Sequence, residues 1–89
     1  MTTYIVTFDI KDSTRKLRVK EKLKEFGTFC PIHENAWAIK TEKKAKDVRD
    51  FVTPLMATDD RIFVIRTGTE AAWRNAYGTK NSEWLKTHL

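Results

Sequence analysis

Cysteine is nearly missing from this chain: Cys30 stands alone among 89 residues. One thiol excludes an internal disulfide and every zinc motif built on paired cysteines. It fits a reducing, cytoplasmic setting, with Cys30 expected as a small buried apolar group. Long apolar runs are missing too. The longest, Ala36-Trp37-Ala38-Ile39 and Ile62-Phe63-Val64-Ile65, fall far short of the roughly 20 residues needed to cross a bilayer. The N-terminus shows none of the basic, apolar and small-residue succession of a secretory leader, so no membrane partner is expected. Three glycines and two prolines leave no flexible linker or low-complexity tract. A phosphate-binding glycine loop and a nucleophile elbow are both absent, as is the aromatic consensus of RNA-recognition sheets.

What is present is charge of one sign. Lysine and arginine number 17 against 12 acids, giving a net charge of +5 and a pI near 9.5. Such a surface favours anionic partners, nucleic acid or acidic protein. With 40% hydrophobic and 33% charged residues, the chain reads as one small globular domain. A chain this short buries a modest share of its surface, and dimerisation would add stability.

The N-terminal run Tyr4-Ile5-Val6-Thr7-Phe8-Asp9-Ile10 reads as a strand over residues 3–10. Alternation puts Tyr4, Val6, Phe8 and Ile10 on one face and Thr3, Ile5, Thr7 and Asp9 on the other. Residues 13–26 read as a helix capped by Asp12 or Ser13 and stopped at Gly27. Val19, Leu23 and Phe26 form its apolar stripe, and Leu17 lies off it. Strands follow at 28–33 and 36–41 about a Glu34-Asn35 turn. Pro31 marks the first of these as an edge strand, because proline cannot donate to a ladder. A second helix is expected over 43–56, ended or kinked near Thr53 by Pro54, with Ala45, Val48, Val52, Leu55 and Met56 on one face. Asp59-Asp60 is a turn and 61–67 a fourth strand.

The order is β-α-β-β-α-β, a ferredoxin-like α+β arrangement with a four-stranded antiparallel sheet over residues 1–68. Residues 69–89 form a C-terminal helical tail. One short helix runs from a Thr69 cap through Tyr77, and a second from Asn81 or Ser82 through Leu89, with Gly78 between. Trp73, Tyr77, Trp84 and Leu85 are too apolar for a solvated tail and should pack on the open sheet face or on a partner subunit.

The positive charge is concentrated. Residues 11–27 hold seven cations and three acids, a local +4 of the chain's +5. Lys11, Arg15, Lys16, Arg18, Lys20 and Lys22 are the candidate nucleic-acid contacts, with a steep salt dependence expected. The competing reading is a solvated face with i,i+3 pairing of Arg18 with Glu21, Glu21 with Lys24 and Lys22 with Glu25. Tyr4, Phe8, Trp37, Phe51 and Phe63 could stack bases, but at strand and helix spacing they read as core. His33 near the turn reads as solvated, and His88 as part of a mobile end.

Asp9 is the residue most open to chemistry. Asp9-Ile10-Lys11-Asp12 places two carboxylates where strand meets helix. Asp12 reads as a helix cap. Asp9 reads either as a strand-end acceptor of backbone N–H groups or as a magnesium ligand. Magnesium takes few protein carboxylates and completes its shell with water and phosphate oxygens, so one Asp from each of two subunits would suffice.

Phe8-Asp9-Ile10, Arg15 and Arg18, Leu23 with Phe26-Gly27, Trp37-Ala38-Ile39, and Asp60 before Phe63-Val64-Ile65 resemble the CRISPR-associated Cas-two proteins, whose fold the VapD proteins share. The resemblance spans residues 3–67. It implies a ferredoxin-like fold, a symmetric homodimer and binding of DNA or RNA, with Asp9 matching the metal-binding and catalytic aspartate of members that act as metal-dependent nucleases. Other members serve as non-catalytic scaffolds. Here Arg15 and Arg18 are split by Lys16-Leu17 where the family has adjacent arginines, and Trp84-Leu85-Lys86 is more similar to a SinR-like branch. The resemblance therefore implies a binding or scaffold role ahead of cleavage, and a protein-interaction module without nucleic acid is the alternative.

Overall fold

Alternation along the first strand decides the architecture. The computed structural model describes residues 1–68 and 70–89. Its elements are β1 (Thr2–Asp9), α1 (Ser13–Lys24), β2 (Thr28–His33), β3 (Ala36–Thr41), α2 (Ala45–Val52), a 3-10 turn (Thr53–Leu55), β4 (Arg61–Arg66) and α3 (Thr79–His88). The four strands form one antiparallel sheet in the order β2-β3-β1-β4. This α+β arrangement of a four-stranded sheet and three helices is consistent with a small ferredoxin-like domain.

The register places Tyr4 opposite Ile39, Val6 opposite Trp37 and Phe8 opposite Ile62. These side chains meet Val19 and Leu23 of α1 and Val48 and Val52 of α2 in the main core. Pro31 lies on edge strand β2, where its missing donor costs no ladder bond. Asp12 caps α1, its carboxylate accepting the Arg15 N–H at 2.8 Å. Gly27, at φ +87°, takes the left-handed turn beyond α1 that an L side chain would resist. The second helix is shorter than expected. Pro54 cannot supply an N–H to an α-helical turn, so α2 ends at Val52 and the chain tightens into the 3-10 turn.

The opposite face of the sheet has its own smaller core. Cys30, Ala38 and Leu85 are buried there, with Ile5, Ile32, Ala76, Trp84 and Leu89 packed against them. Asn81 Nδ2 donates to the Pro31 carbonyl at 3.1 Å, and Thr3 Oγ1 donates to the His88 carbonyl at 2.8 Å. The C-terminal tail thus lies on its own chain's sheet, over the β2 side.

Two expectations about the tail are corrected. Residues 70–77 form no helix, and the proposed cap, Thr69, lies outside the described residues. Asn75 sits at φ +59°, a left-handed conformation that interrupts a helix. Without a packed face a helix that short does not hold. His88 is also docked rather than free: its carbonyl accepts from Thr3, and its Nδ1 lies 3.2 Å from Lys40 Nζ.

Candidate functional site

Because α3 covers only part of the open face, the β1–β4 half stays uncovered. Asp9 is exposed at the end of β1 and directly opposite Arg61 in the antiparallel register. Paired residues point to the same side, so Thr7 joins Phe63, and Ile5 joins Ile65, on this face. Phe63 is 61% exposed and Ile65 50%. An open groove of about 600 Å³ runs here, lined by Thr7, Phe8, Asp9, His33, Asn35, Arg61, Ile62 and Phe63.

The hairpin turn supplies the groove's third side. The Phe8 N–H donates to the Asn35 carbonyl at 3.0 Å, tying the turn to the end of β1. His33 Nδ1 accepts the Asn35 N–H at 3.3 Å, which leaves Nε2 as the free ring nitrogen. The groove therefore gathers one carboxylate, one guanidinium, one imidazole, one amide and one exposed aromatic ring. Sequence reasoning assigned Phe63 to the core and His33 to solvent. The structure buries Tyr4, Phe8 and Trp37 and packs Phe51 against Phe26 at 5.1 Å between ring centroids. Phe63 is the one left outward, because none of the described residues covers the β4 end of this face. The signal that could have paired His33 with Asp9 was the hairpin register.

The basic helix is more neutralised than its composition suggests. Arg15 forks onto Asp60, Nε to Oδ2 at 2.9 Å and Nη2 to Oδ1 at 3.1 Å, and the Asp60 side chain is wholly covered. The Asp60 carboxylate also accepts the Ala57 N–H at 2.9 Å. These bonds, the Arg15 one foremost, hold the Asp60 carboxyl below the usual carboxylate range. Arg15 is raised in turn by the same hydrogen bond. It therefore clamps α1 to the turn before β4.

Lys16 and Lys20 both reach Glu34 Oε1, at 3.2 and 2.8 Å. Lys22 sits 3.8 Å from Glu25 and 4.1 Å from the centre of the Phe51 ring. Lys24 pairs with Glu21 at 3.1 Å. Of the six candidate nucleic-acid residues, Lys11 and Arg18 have no ion pair among the described residues.

Metal binding can be tested on the donor set. Among the described residues, no three His, Cys, Asp or Glu side chains converge to hold a metal ion. Asp9 is the only carboxylate lining its groove, and Arg61, its register partner, adds positive charge to the same end of the sheet. A single chain does not fit a magnesium ion at Asp9. Of the four tail residues singled out, Leu85 is buried and Trp84 packs beside it, its ring centroid 4.4 Å from His88. Trp73 donates to Ser82 Oγ at 3.3 Å and stays 36% exposed, and Tyr77 is 57% exposed.

No protein-family profile matches this chain, and no curated protein matches its sequence. Among solved structures it is similar to the crystal structure of a hypothetical protein TT1823 from Thermus thermophilus. The TM-score is 0.70 at 19% sequence identity, covering 84% of this chain and 92% of that one. The likeness is one of fold.

Proposed function

We propose that this protein is a small basic scaffold that binds single-stranded nucleic acid in the groove at the end of β1 and β4. The observation that carries the reading is the Phe63 ring, 61% exposed beside Arg61. An aromatic face offers stacking to any base, at about 1–3 kcal/mol per base. A neighbouring guanidinium suits a phosphate oxygen, and Asn35 and Asp9 offer both donors and acceptors to a base edge. The family resemblance to Cas-two-like proteins supports the same class of partner, and a homodimer agrees with both. The homodimer compatible with a strand in this groove is one joined along the outer edge of β4, which leaves Asp9 and Arg61 free.

Cleavage is the lesser reading, since magnesium would have to recruit Asp9 from two chains at once. A protein-interaction module is favoured by a different observation: Phe63 and Ile65 form an exposed apolar strip on edge strand β4. Fluorescence anisotropy with labelled single-stranded DNA and RNA at low salt separates the readings. Phe63→Ala should weaken binding about fivefold to 150-fold, equivalent to about 1–3 kcal/mol. Its stability should stay within about 0.5 kcal/mol of wild type, as expected for an exposed side chain. Unchanged affinity would remove the groove from the interface. Magnesium-dependent strand cleavage that Asp9→Ala abolishes would instead make the groove catalytic.

A further inference from the structure

On the other side of the hairpin turn lies a second groove, of about 440 Å³, lined by Ser13, Thr14, Lys16, Leu17, Lys20 and Glu34. Its polar groups are two ammoniums, two hydroxyls and one carboxylate. Both lysines converge on a single oxygen, Glu34 Oε1. We propose that Lys16 and Lys20 form a phosphate site that Glu34 occupies from within the chain, and that a nucleic-acid phosphate binds there by displacing the Glu34 carboxylate. The inference rests on the nucleic-acid reading above and adds a second point of attachment and an internal competitor to it.

Three features support it. First, the cations are the seated half of the cluster and the carboxylate is the free half. The Lys16 and Lys20 side chains are 23% and 19% exposed, against 62% for Glu34. Glu34 stands on the two-residue turn between β2 and β3, so its side chain can swing into solvent without disturbing a ladder. Second, the donors outnumber the acceptor. Each ammonium carries three N–H groups, and Ser13 and Thr14 add hydroxyls, whereas Glu34 offers one engaged oxygen. A phosphate diester brings the same charge and can accept from both lysines and a hydroxyl together. Of the acids at or on the helix, Asp12 is committed to the Arg15 N–H, Glu21 to Lys24 and Glu25 to Lys22. The two lysines hold the Glu34 carboxyl below the usual carboxylate range, Lys20 contributing most, so the competitor is ionised at neutral pH.

Third, the two grooves share a wall. His33 and Asn35 line the Phe63 groove, and Glu34 between them faces α1. A strand stacked on Phe63 meets the lysines as soon as it passes the turn. Leu17, 58% exposed and off the helix's apolar stripe, gives the second groove an apolar floor for a sugar or base.

The test compares wild type, Glu34→Gln, and Lys16→Gln/Lys20→Gln in both backgrounds, using a labelled single-stranded oligonucleotide across a salt series. None of these side chains belongs to either core, so each variant should fold. Removing the competitor should tighten binding about threefold to tenfold at low salt, the scale of two exposed ion pairs. It should also steepen the salt slope by about 0.7 for each additional phosphate neutralised. The double lysine change should erase both effects. An affinity unchanged by Glu34→Gln, while the lysine changes weaken binding, would show that Glu34 does not compete and would overturn the proposal. If neither wild type nor Glu34→Gln binds any strand, the nucleic-acid reading fails on its own. In that case pyrophosphate is titrated while the Lys16 and Lys20 side-chain signals are followed by NMR. Shifts that Glu34→Gln enlarges would uphold the phosphate site, and their absence would end it.

Discussion

Leu85→Ala should release the C-terminal tail without unfolding the domain. Leu85 is 2% exposed and, among the described residues, is the only large side chain fully buried in the smaller core, against Cys30 and Ala38. Leucine-to-alanine changes in cores cost about 2–5 kcal/mol, depending on how far the site collapses. Here the surrounding Ile5, Ile32, Trp84 and Leu89 are only partly buried and can settle into the space. The lower part of the range, about 2–3 kcal/mol, is therefore expected. What else holds the tail is the partial burial of Trp84 and Leu89 and the Thr3 and Asn81 hydrogen bonds, each bond worth about 1 kcal/mol. Cys30 is a built-in reporter. It is the chain's one thiol, it is 2% exposed, and burial pushes its pKa up; both suppress reaction. Opening the tail exposes it on edge strand β2. If labelling follows local opening, the rate with an aromatic disulfide reagent under native conditions should rise about 30-fold to 150-fold. Val48→Ala is the control, because Val48 is buried in the other core. It should lower the global unfolding midpoint and leave Cys30 labelling alone. Equal acceleration by both variants would mean that Cys30 is reached only by global unfolding, and no acceleration by Leu85→Ala would mean that the tail does not guard it.

Two further predictions concern protons. Asp60 is held below the usual carboxylate range by Arg15, so its stabilisation is complete above the unfolded value of about 4 and disappears as pH falls toward the folded one. Urea unfolding of Asp60→Asn should show a lower midpoint at neutral pH than wild type and a shallower decline into acid; parallel pH curves would refute the clamp. His88 is pushed below its ordinary value by burial and then by Lys40. The stabilisation it gives is present above about pH 6.5 and lost on acidification below that, as the unfolded histidine takes up a proton the folded one refuses. Amide exchange in α3, corrected for intrinsic rates, should therefore speed up between about pH 7 and about pH 5 in wild type. It should not do so in His88→Gln.

Much of the sheet was legible because each strand carries a one-face signal. Tyr4, Val6 and Phe8 alternate with Thr3, Thr7 and Asp9, and Pro31 fits only an edge. The Val19 and Leu23 stripe was legible for the same reason. What escaped was everything decided by contacts distant in the chain. Spacing on one helix anticipates Lys24–Glu21 and Lys22–Glu25, yet it cannot reveal Arg15 with Asp60 or Lys16 and Lys20 with Glu34. Alternation divides β4 into two sets without saying which set will be covered. Phe63 and Ile65 look like core in sequence and are exposed because the tail settles over β2 rather than β4. Residues 70–77 form no helix, and Asn75 at φ +59° takes a left-handed conformation that short-range spacing in this stretch does not signal.

The position of the tail also limits how two copies could meet. Thr3, Ile5, Thr7 and Asp9 share one face of β1, but α3 claims the Thr3 and Ile5 end and leaves the Asp9 end free. A full face-to-face sandwich of two sheets would have to displace Leu85 and re-expose Cys30. A second copy that meets this face of the sheet with the tail seated approaches through the Asp9, Arg61 and Phe63 end or along the outer edge of β4. The first of these is the surface that the proposed strand would occupy. Dimerisation through the groove and nucleic-acid binding in it are therefore competitive, whereas dimerisation along the β4 edge leaves two grooves side by side. Measuring strand affinity across a protein dilution series distinguishes these arrangements. Tighter binding per chain on dilution marks the groove as the dimer contact, and weaker binding on dilution marks the edge.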